Sequence, residues 1–275
     1  MRINTNLNAI SAQRHLSRSS RQMDSRLESI ASALRINRGA DDAAGLAISE
    51  GMRAQMRGDS QAIRNLQDGV SMIQTAEGGA EQVQGNLQRM RELSVRAASD
   101  SIGDIGREAI QSEIDQLTEE IDRLTDTVQF NERELLSGEI DEESGGAVLH
   151  AGADRDETVT LTVEAMDSET LGIDEVDVTT RDGAEQALET LAGSINQVST
   201  QRADMGATQN RLESAIDFLQ IAEENVQASE SQIRDADMAA ETTGRAREQI
   251  LTQAGVSTLA QANNLQGQTA LQLLG

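Results

Sequence analysis

The chain has 275 residues, with 2 Phe, no Trp, Tyr, Cys or Pro, and a formal net charge of −24. Burial therefore falls to Leu, Ile, Val, Met and Ala, which fill the thin seam of a helix bundle well and a thick globular core poorly. Absent Pro permits long uninterrupted helices, and absent Cys excludes disulfides and thiolate metal sites.

In the first helix Leu16, Met23, Leu27, Ile30 and Leu34 recur at 3/4 spacing and mark one coiled-coil face. Asn37, Gly39 and the Asp41-Asp42 pair disfavour helix, so a connector is predicted from Leu34 to Asp42, with Asp42 capping a helix that resumes at Ala43. Ile63, Leu66, Val70, Ile73, Ala76, Ala80, Val83, Leu87 and Met90 then form a second ladder. A helix of about 40 residues at ~1.5 Å per residue spans roughly 60 Å, which implies a rod.

Gly103 and Gly106 break that helix, and Ile110, Ile114, Leu117, Ile121, Leu124 and Val128 give a third ladder expected to return antiparallel to the second. Residues 138–184 change character. Glycines punctuate them, and Val159, Leu161 and Val163 alternate with Thr158, Thr160 and Thr162, predicting a short β-hairpin region. A fourth helix carries Leu188, Leu191, Ile195, Val198, Met205, Leu212, Ile216, Leu219, Val226 and Ile233, and the last stretch repeats the pattern weakly at Leu251, Thr258, Ala262 and Leu265.

This order predicts a mainly α fold: an elongated antiparallel helix bundle or coiled coil with a small β-hairpin region and paired N- and C-terminal helices. Three regions are expected, namely 1–42 with 240–275 as a terminal coiled coil, 43–137 with 185–239 as a long-helix rod, and 138–184 as a short outer region. The expected subunit-packing positions come from the ladders. They are Leu16, Met23, Leu27, Ile30 and Leu34; Ile63, Leu66, Val70, Ile73, Leu87 and Met90; Ile114, Leu117, Ile121 and Leu124; Leu212, Ile216 and Leu219; and Leu251 and Leu265. Each terminal helix offers a narrow apolar stripe over a seam rich in Ala, Gln and Asn. Such a pair is expected to be marginal in the lone subunit and to order residues 1 to about 40 and 240–275 on polymerisation.

Charge separates the ends from the middle. Residues 1–100 hold 13 Arg against 11 acids, residues 101–200 hold 5 against 26, and residues 201–275 hold 5 against 10. The basic start (Arg2, Arg14, Arg18, Arg21, Arg26, Arg35 and Arg38) has no aromatics between its arginines for base stacking, and the chain as a whole repels phosphate, so no nucleic-acid partner is expected. No run of about 18 apolar residues and no apolar leader is present, so neither a membrane span nor a Sec-type signal is expected. Every basic side chain is Arg. With the acidic excess, this fits either a surface hydrated in concentrated salt or one kept soluble at high abundance.

No chemistry of catalysis is predicted. His15 and His150 are the only histidines, there is no HExxH, GxSxG or phosphate loop, and Glu139, Asp141, Glu142 and Glu143 lack the alternating ligands and Gly of a calcium loop. The expectation is no enzyme, no cofactor and no metal.

The chain resembles bacterial flagellin over nearly its whole length. The resemblance rests on MRINTNLNAISAQ at the start, LRIN at Leu34–Asn37, DDAAGLAISEGMRAQMRG at Asp41–Gly58, DGVSMIQTAEG at Asp68–Gly78 and LQRMRELSVRA at Leu87–Ala97. It continues with QRADMGATQNRLES at Gln201–Ser214, ENVQASESQIRDADMAAE at Glu224–Glu241 and ILTQAGVSTLAQAN at Ile250–Asn263. Three departures stand out: Ala31-Ser32-Ala33 where the family has Ser-Ser-Gly, Phe130-Asn131-Glu132 where it has Phe-Asn-Gly, and no Pro near the C-terminus. The resemblance implies a subunit that self-polymerises into the extracellular flagellar filament for swimming, with terminal helices forming an inner tube, and a minimal form without large outer domains. It also implies export through the flagellar type III channel, a chaperone on the C-terminal segment, and filament-cap and hook-junction partners. Arg89, Leu93 and Glu113 match positions that contact an innate-immune receptor in flagellins. A hook–filament junction protein of the same superfamily is the alternative.

Overall fold

A computed structural model of the chain describes residues 6–141 and 144–274, with residues 266–274 described by backbone course alone. Arg2, Glu142 and Glu143, named above, lie outside the described residues. Among the described residues five helices run in chain order: α1 (Leu7–Ser32), α2 (Ala43–Ala97), α3 (Asp104–Thr127), α4 (Arg181–Arg234) and α5 (Met238–Leu274). Between α3 and α4 lie two small antiparallel hairpins, β1 (Gln129–Phe130) with β2 (Arg133–Glu134) and β3 (Ala147–His150) with β4 (Thr158–Leu161). The fold is mainly α, as expected. Among the described residues no helix is long and apolar enough to cross a membrane.

Helix limits follow from local chemistry. Asn6 caps α1 by accepting the Ala9 N–H at 3.0 Å, Asp42 caps α2 by accepting the Gly45 N–H at 2.9 Å, and Thr180 caps α4 by accepting the Gly183 N–H at 3.1 Å. The predicted connector is present, with Asp41 accepting the N–H groups of Asn37 and Arg38 at 3.1 and 2.9 Å. Those two donors hold the Asp41 carboxyl below its ordinary value.

The chain packs as two compact units, residues 1–54 with 225–275 and residues 55–224. The second holds the apolar core. There α2 and α3 are antiparallel, since Arg89 meets Glu113 at 2.8 Å while Arg107 reaches the Ala97 carbonyl at 3.0 Å. α4 also runs antiparallel to α2: Asp100 pairs with Arg181, Gln84 with Arg202 and Ser60 with Glu223. The buried α2 ladder is Ala62, Leu66, Ile73, Ala76, Ala80, Val83, Leu87, Met90, Leu93 and Ala97, and α4 contributes Leu191, Val198, Met205, Leu212 and Leu219.

The segment between α3 and α4 closes this core. Leu135, Leu136, Ile140, Leu161, Val163, Met166 and Val178 are buried, and side chains on the helices satisfy the irregular backbone. Asp122 accepts the Ser168 N–H at 2.8 Å, and Gln111 both accepts the Val178 N–H at 2.7 Å and donates to the Val176 carbonyl at 2.9 Å.

Candidate subunit interface

The first unit is built on the α1–α5 pair. Asn6 Nδ2 donates to the Ala262 carbonyl at 3.1 Å, Ser19 Oγ donates to Glu248 Oε2 at 2.5 Å, and the Arg26 guanidinium meets Glu241 at 2.9 Å. Partner numbers fall on α5 as they rise on α1, so the two helices are antiparallel. Gly255 lies under Leu16, where an added Cβ would come within 3.2 Å of Leu16 Cδ1. Below them the connector is pinned to the α4–α5 junction: Arg35 N–H donates to the Arg234 carbonyl at 2.7 Å and Ala236 N–H to the Ala33 carbonyl at 3.0 Å. The buried Arg234 guanidinium reaches Glu50 at 2.7 Å, and that hydrogen bond holds the Glu50 carboxyl below its ordinary value.

The seam is thin and polar. Among the described residues the buried positions of α1 are Ser19 and Ser29, and on α5 the buried position is Glu248. Several large apolar residues of the pair face outward instead: Leu7, Ile10 and Leu27 on α1, and Ile250, Leu251, Val256 and Leu265 on α5, with exposures from 41% at Leu27 to 67% at Leu7. His15, Leu16, Ser19, Glu248, Leu251 and Gly255 line an open groove of about 360 Å³ on this surface.

The predicted packing residues divide accordingly. Leu16, Met23, Ile30 and Leu34 are half-buried within the first unit, and Leu27 is exposed. Leu66, Ile73, Leu87, Met90, Ile114, Ile121, Leu212 and Leu219 lie inside the core of the second unit, with Ile63, Val70, Leu117, Leu124 and Ile216 packed partly buried against it. Core atoms shielded by their own chain have no surface for a neighbouring copy, so these positions hold the subunit together. Leu251 and Leu265, read as seam positions of the last helix, are exposed. Glu248, Gly255 and Ser19 take the seam in their place. Sequence patterning missed these three because small and polar residues do not register as core positions in a hydropathy ladder.

The surface expected from Arg89, Leu93 and Glu113 is corrected in one respect. Arg89 and Glu113 form an exposed ion pair at 2.8 Å, but Leu93 is 2% exposed and belongs to the core.

These features define a helical protein of coiled-coil type whose two terminal helices close on each other through a polar seam and carry several bulky apolar side chains outward. The chain belongs to the bacterial flagellin family: residues 3–141 match the bacterial flagellin N-terminal helical region and residues 188–274 the C-terminal helical region. It is 45% identical to a flagellin of Halalkalibacterium halodurans, and 41% identical both to the flagellar filament 30.7 kDa core protein of Treponema maltophilum and to a flagellin of Bacillus subtilis, in each case over the full length of both chains. A solved structure described as a flagellar hook-associated protein of Vibrio parahaemolyticus superposes with a TM-score of 0.58 at 15% identity, covering 71% of this chain and 100% of that one, which shows a shared fold. Residues 142–187 separate the two matched regions and hold β3, β4, their loops and the start of α4, so this is a flagellin without a large outer domain.

Proposed function

We infer that the chain is a structural subunit of the extracellular bacterial flagellar filament, and that copies associate through the outward apolar residues of α1 and α5. The family is one of structural proteins, and relatives of matching length are flagellins and flagellar filament core proteins. The observation that carries the assembly surface is the inversion on the terminal pair: Ser19 and Glu248 are buried, while Ile250, Leu251, Val256 and Leu27 meet water. Exposed bulky side chains in a row favour association, because each copy then removes apolar surface from water.

The test is sedimentation and electron microscopy of purified full-length subunits, comparing wild type with Ile250→Ser/Leu251→Ser. The wild type forms filaments. The variant stays soluble with unchanged helix content. Filaments of equal length and yield from the variant would overturn the assignment of the surface.

The same stripe on α5 suits an export chaperone, which would cover it before assembly, and cap and hook-junction proteins would meet it at the filament ends. Protease resistance of both termini in filaments, with cleavage in soluble subunits, checks that order follows assembly. For an innate-immune receptor the available contact is the exposed Arg89–Glu113 pair; a reporter assay silent to purified subunits removes that partner.

A further inference from the structure

Asp59 on α2 is 4% exposed, yet its Oδ2 finds no hydrogen-bond partner among the described residues. The charged groups acting on it are all acidic: Glu157 and Asp154 from the β3–β4 loop and Glu223 from α4. Glu223 is held in place by the Ser60 hydroxyl, which donates to it at 2.7 Å. In the loop, Glu157 accepts the Asp154 N–H at 3.3 Å through its carboxylate, and its carbonyl accepts the Ala151 N–H at 2.8 Å.

The loop is seated tightly on α2 one residue before this carboxyl. A Cβ on Gly58 would stand 2.5 Å from Ala153 Cβ and 3.0 Å from Ala153 Cα, so the closed position depends on a bare backbone there. Asn65 Nδ2 adds a 3.4 Å bond to the His150 carbonyl. With the hairpin tip seated, Asp154 and Glu157 therefore stand near a carboxyl that is almost fully out of water in this closed arrangement.

Among the described residues no arginine pairs with Asp59, and no three carboxylates or imidazoles converge as a metal-ligand group. A proton is the remaining way to relieve the repulsion. We propose that docking of the β3–β4 hairpin tip on α2 is coupled to uptake of one solvent proton by the Asp59 carboxylate, so that residues 151–157 act as an acid-tightened latch.

Burial, followed by the charges of Glu157, Glu223 and Asp154, pushes the closed-state carboxyl above its ordinary value of 3.8. With the tip open, that value relaxes toward the ordinary one. The closed state thus binds the proton more tightly, and the open population grows as pH rises from about the ordinary value through the raised one.

Hydrogen exchange of full-length subunits from about pH 3 to pH 8, corrected for intrinsic exchange rates, reads the opening at β3–β4 amides from below the ordinary carboxylate value upward. Wild type should show an increase in opening with pH, up to about tenfold for each unit by which the closed-state carboxyl is raised. Asp59→Asn and Asp59→Leu, neither able to ionise, should both give a flat profile, and Leu keeps the test valid should the amide disturb the site. A flat wild-type profile, or an Asp59→Leu profile as steep as wild type, would overturn the latch.

Discussion

Ser19 on α1 donates its hydroxyl to the Glu248 carboxylate on α5 at 2.5 Å, and both residues are almost fully buried although 229 positions separate them. A buried carboxylate that loses its donor keeps its desolvation cost. Ser19→Ala is therefore expected to weaken the terminal pair by about 1–3 kcal/mol. Circular dichroism on gentle heating would show helix lost earlier than in wild type. Adding Glu248→Leu should reverse the loss, because an apolar pair leaves nothing polar unsatisfied. If Ser19→Ala melts like wild type, this contact contributes nothing to the seam.

The Arg234–Glu50 pair supplies a pH dependence of known sign. The Glu50 carboxyl is held down chiefly by its hydrogen bond from Arg234, with a further contribution from Arg53. Its stabilising contribution is present above the ordinary carboxylate value of 4.5 and is lost as pH falls through the depressed folded value. Glu50→Gln should lower stability at neutral pH and flatten the acid limb of a melting series from pH 6 to pH 3. An acid limb as steep as in wild type would assign the dependence to other carboxylates.

Three non-glycine residues sit in left-handed backbone at two points where the chain departs from the family pattern. Ala33 ends α1 at φ 59°, and Asn131 and Glu132, at φ 50° and 66°, form the tight turn between β1 and β2. Left-handed backbone costs a residue with a side chain roughly 1–2 kcal/mol, and glycine escapes it while adding some chain entropy to the unfolded state. Ala33→Gly and Glu132→Gly should each raise stability by about 0.5–1 kcal/mol by denaturant melting, and the two gains should add because the sites lie in different packing units. A loss of stability from either would show that the strain is relieved elsewhere.

The same positions show how far the sequence could be read. The departures from the family pattern at Ala33 and Glu132 put local turns in question, and both fall on left-handed backbone, where the missing glycine leaves strain. The long ladders were legible wherever bulk and burial coincide, as at Leu66, Ile73, Leu87, Ile114 and Leu212. They slipped where close approach demanded small residues. Patterning selected Ile63 and Val70, but Ala62 and Gly69 face inward, and at Gly69 the space a side chain would need is filled by Leu149, with Leu212 beside it. On α5 the slip was larger, since the inward Glu248 and Gly255 are less apolar than the outward Leu251, which inverts the contrast that patterning reads. Val159 and Leu161 marked β4, while its partner Ala147–His150 and the two-residue strands β1 and β2 are too short for alternation to register.

Leu87 and Ile250 are both branched aliphatic residues on long helices, and truncating them should have opposite consequences. Leu87 is fully buried in the α2 ladder, so Leu87→Ala leaves a cavity and should cost the monomer about 2–5 kcal/mol. Ile250 is 66% exposed on α5, so Ile250→Ala should leave monomer stability within about 0.5 kcal/mol. Polymerisation discriminates further. At a temperature where Leu87→Ala is still folded, its critical concentration for assembly should stay near wild type, because the lost contacts lie within one chain. Ile250→Ala should raise that concentration, since its side chain leaves water only when another copy covers it. A monomer weakened by Ile250→Ala with assembly unaltered would place this residue in the fold and remove it from the interface.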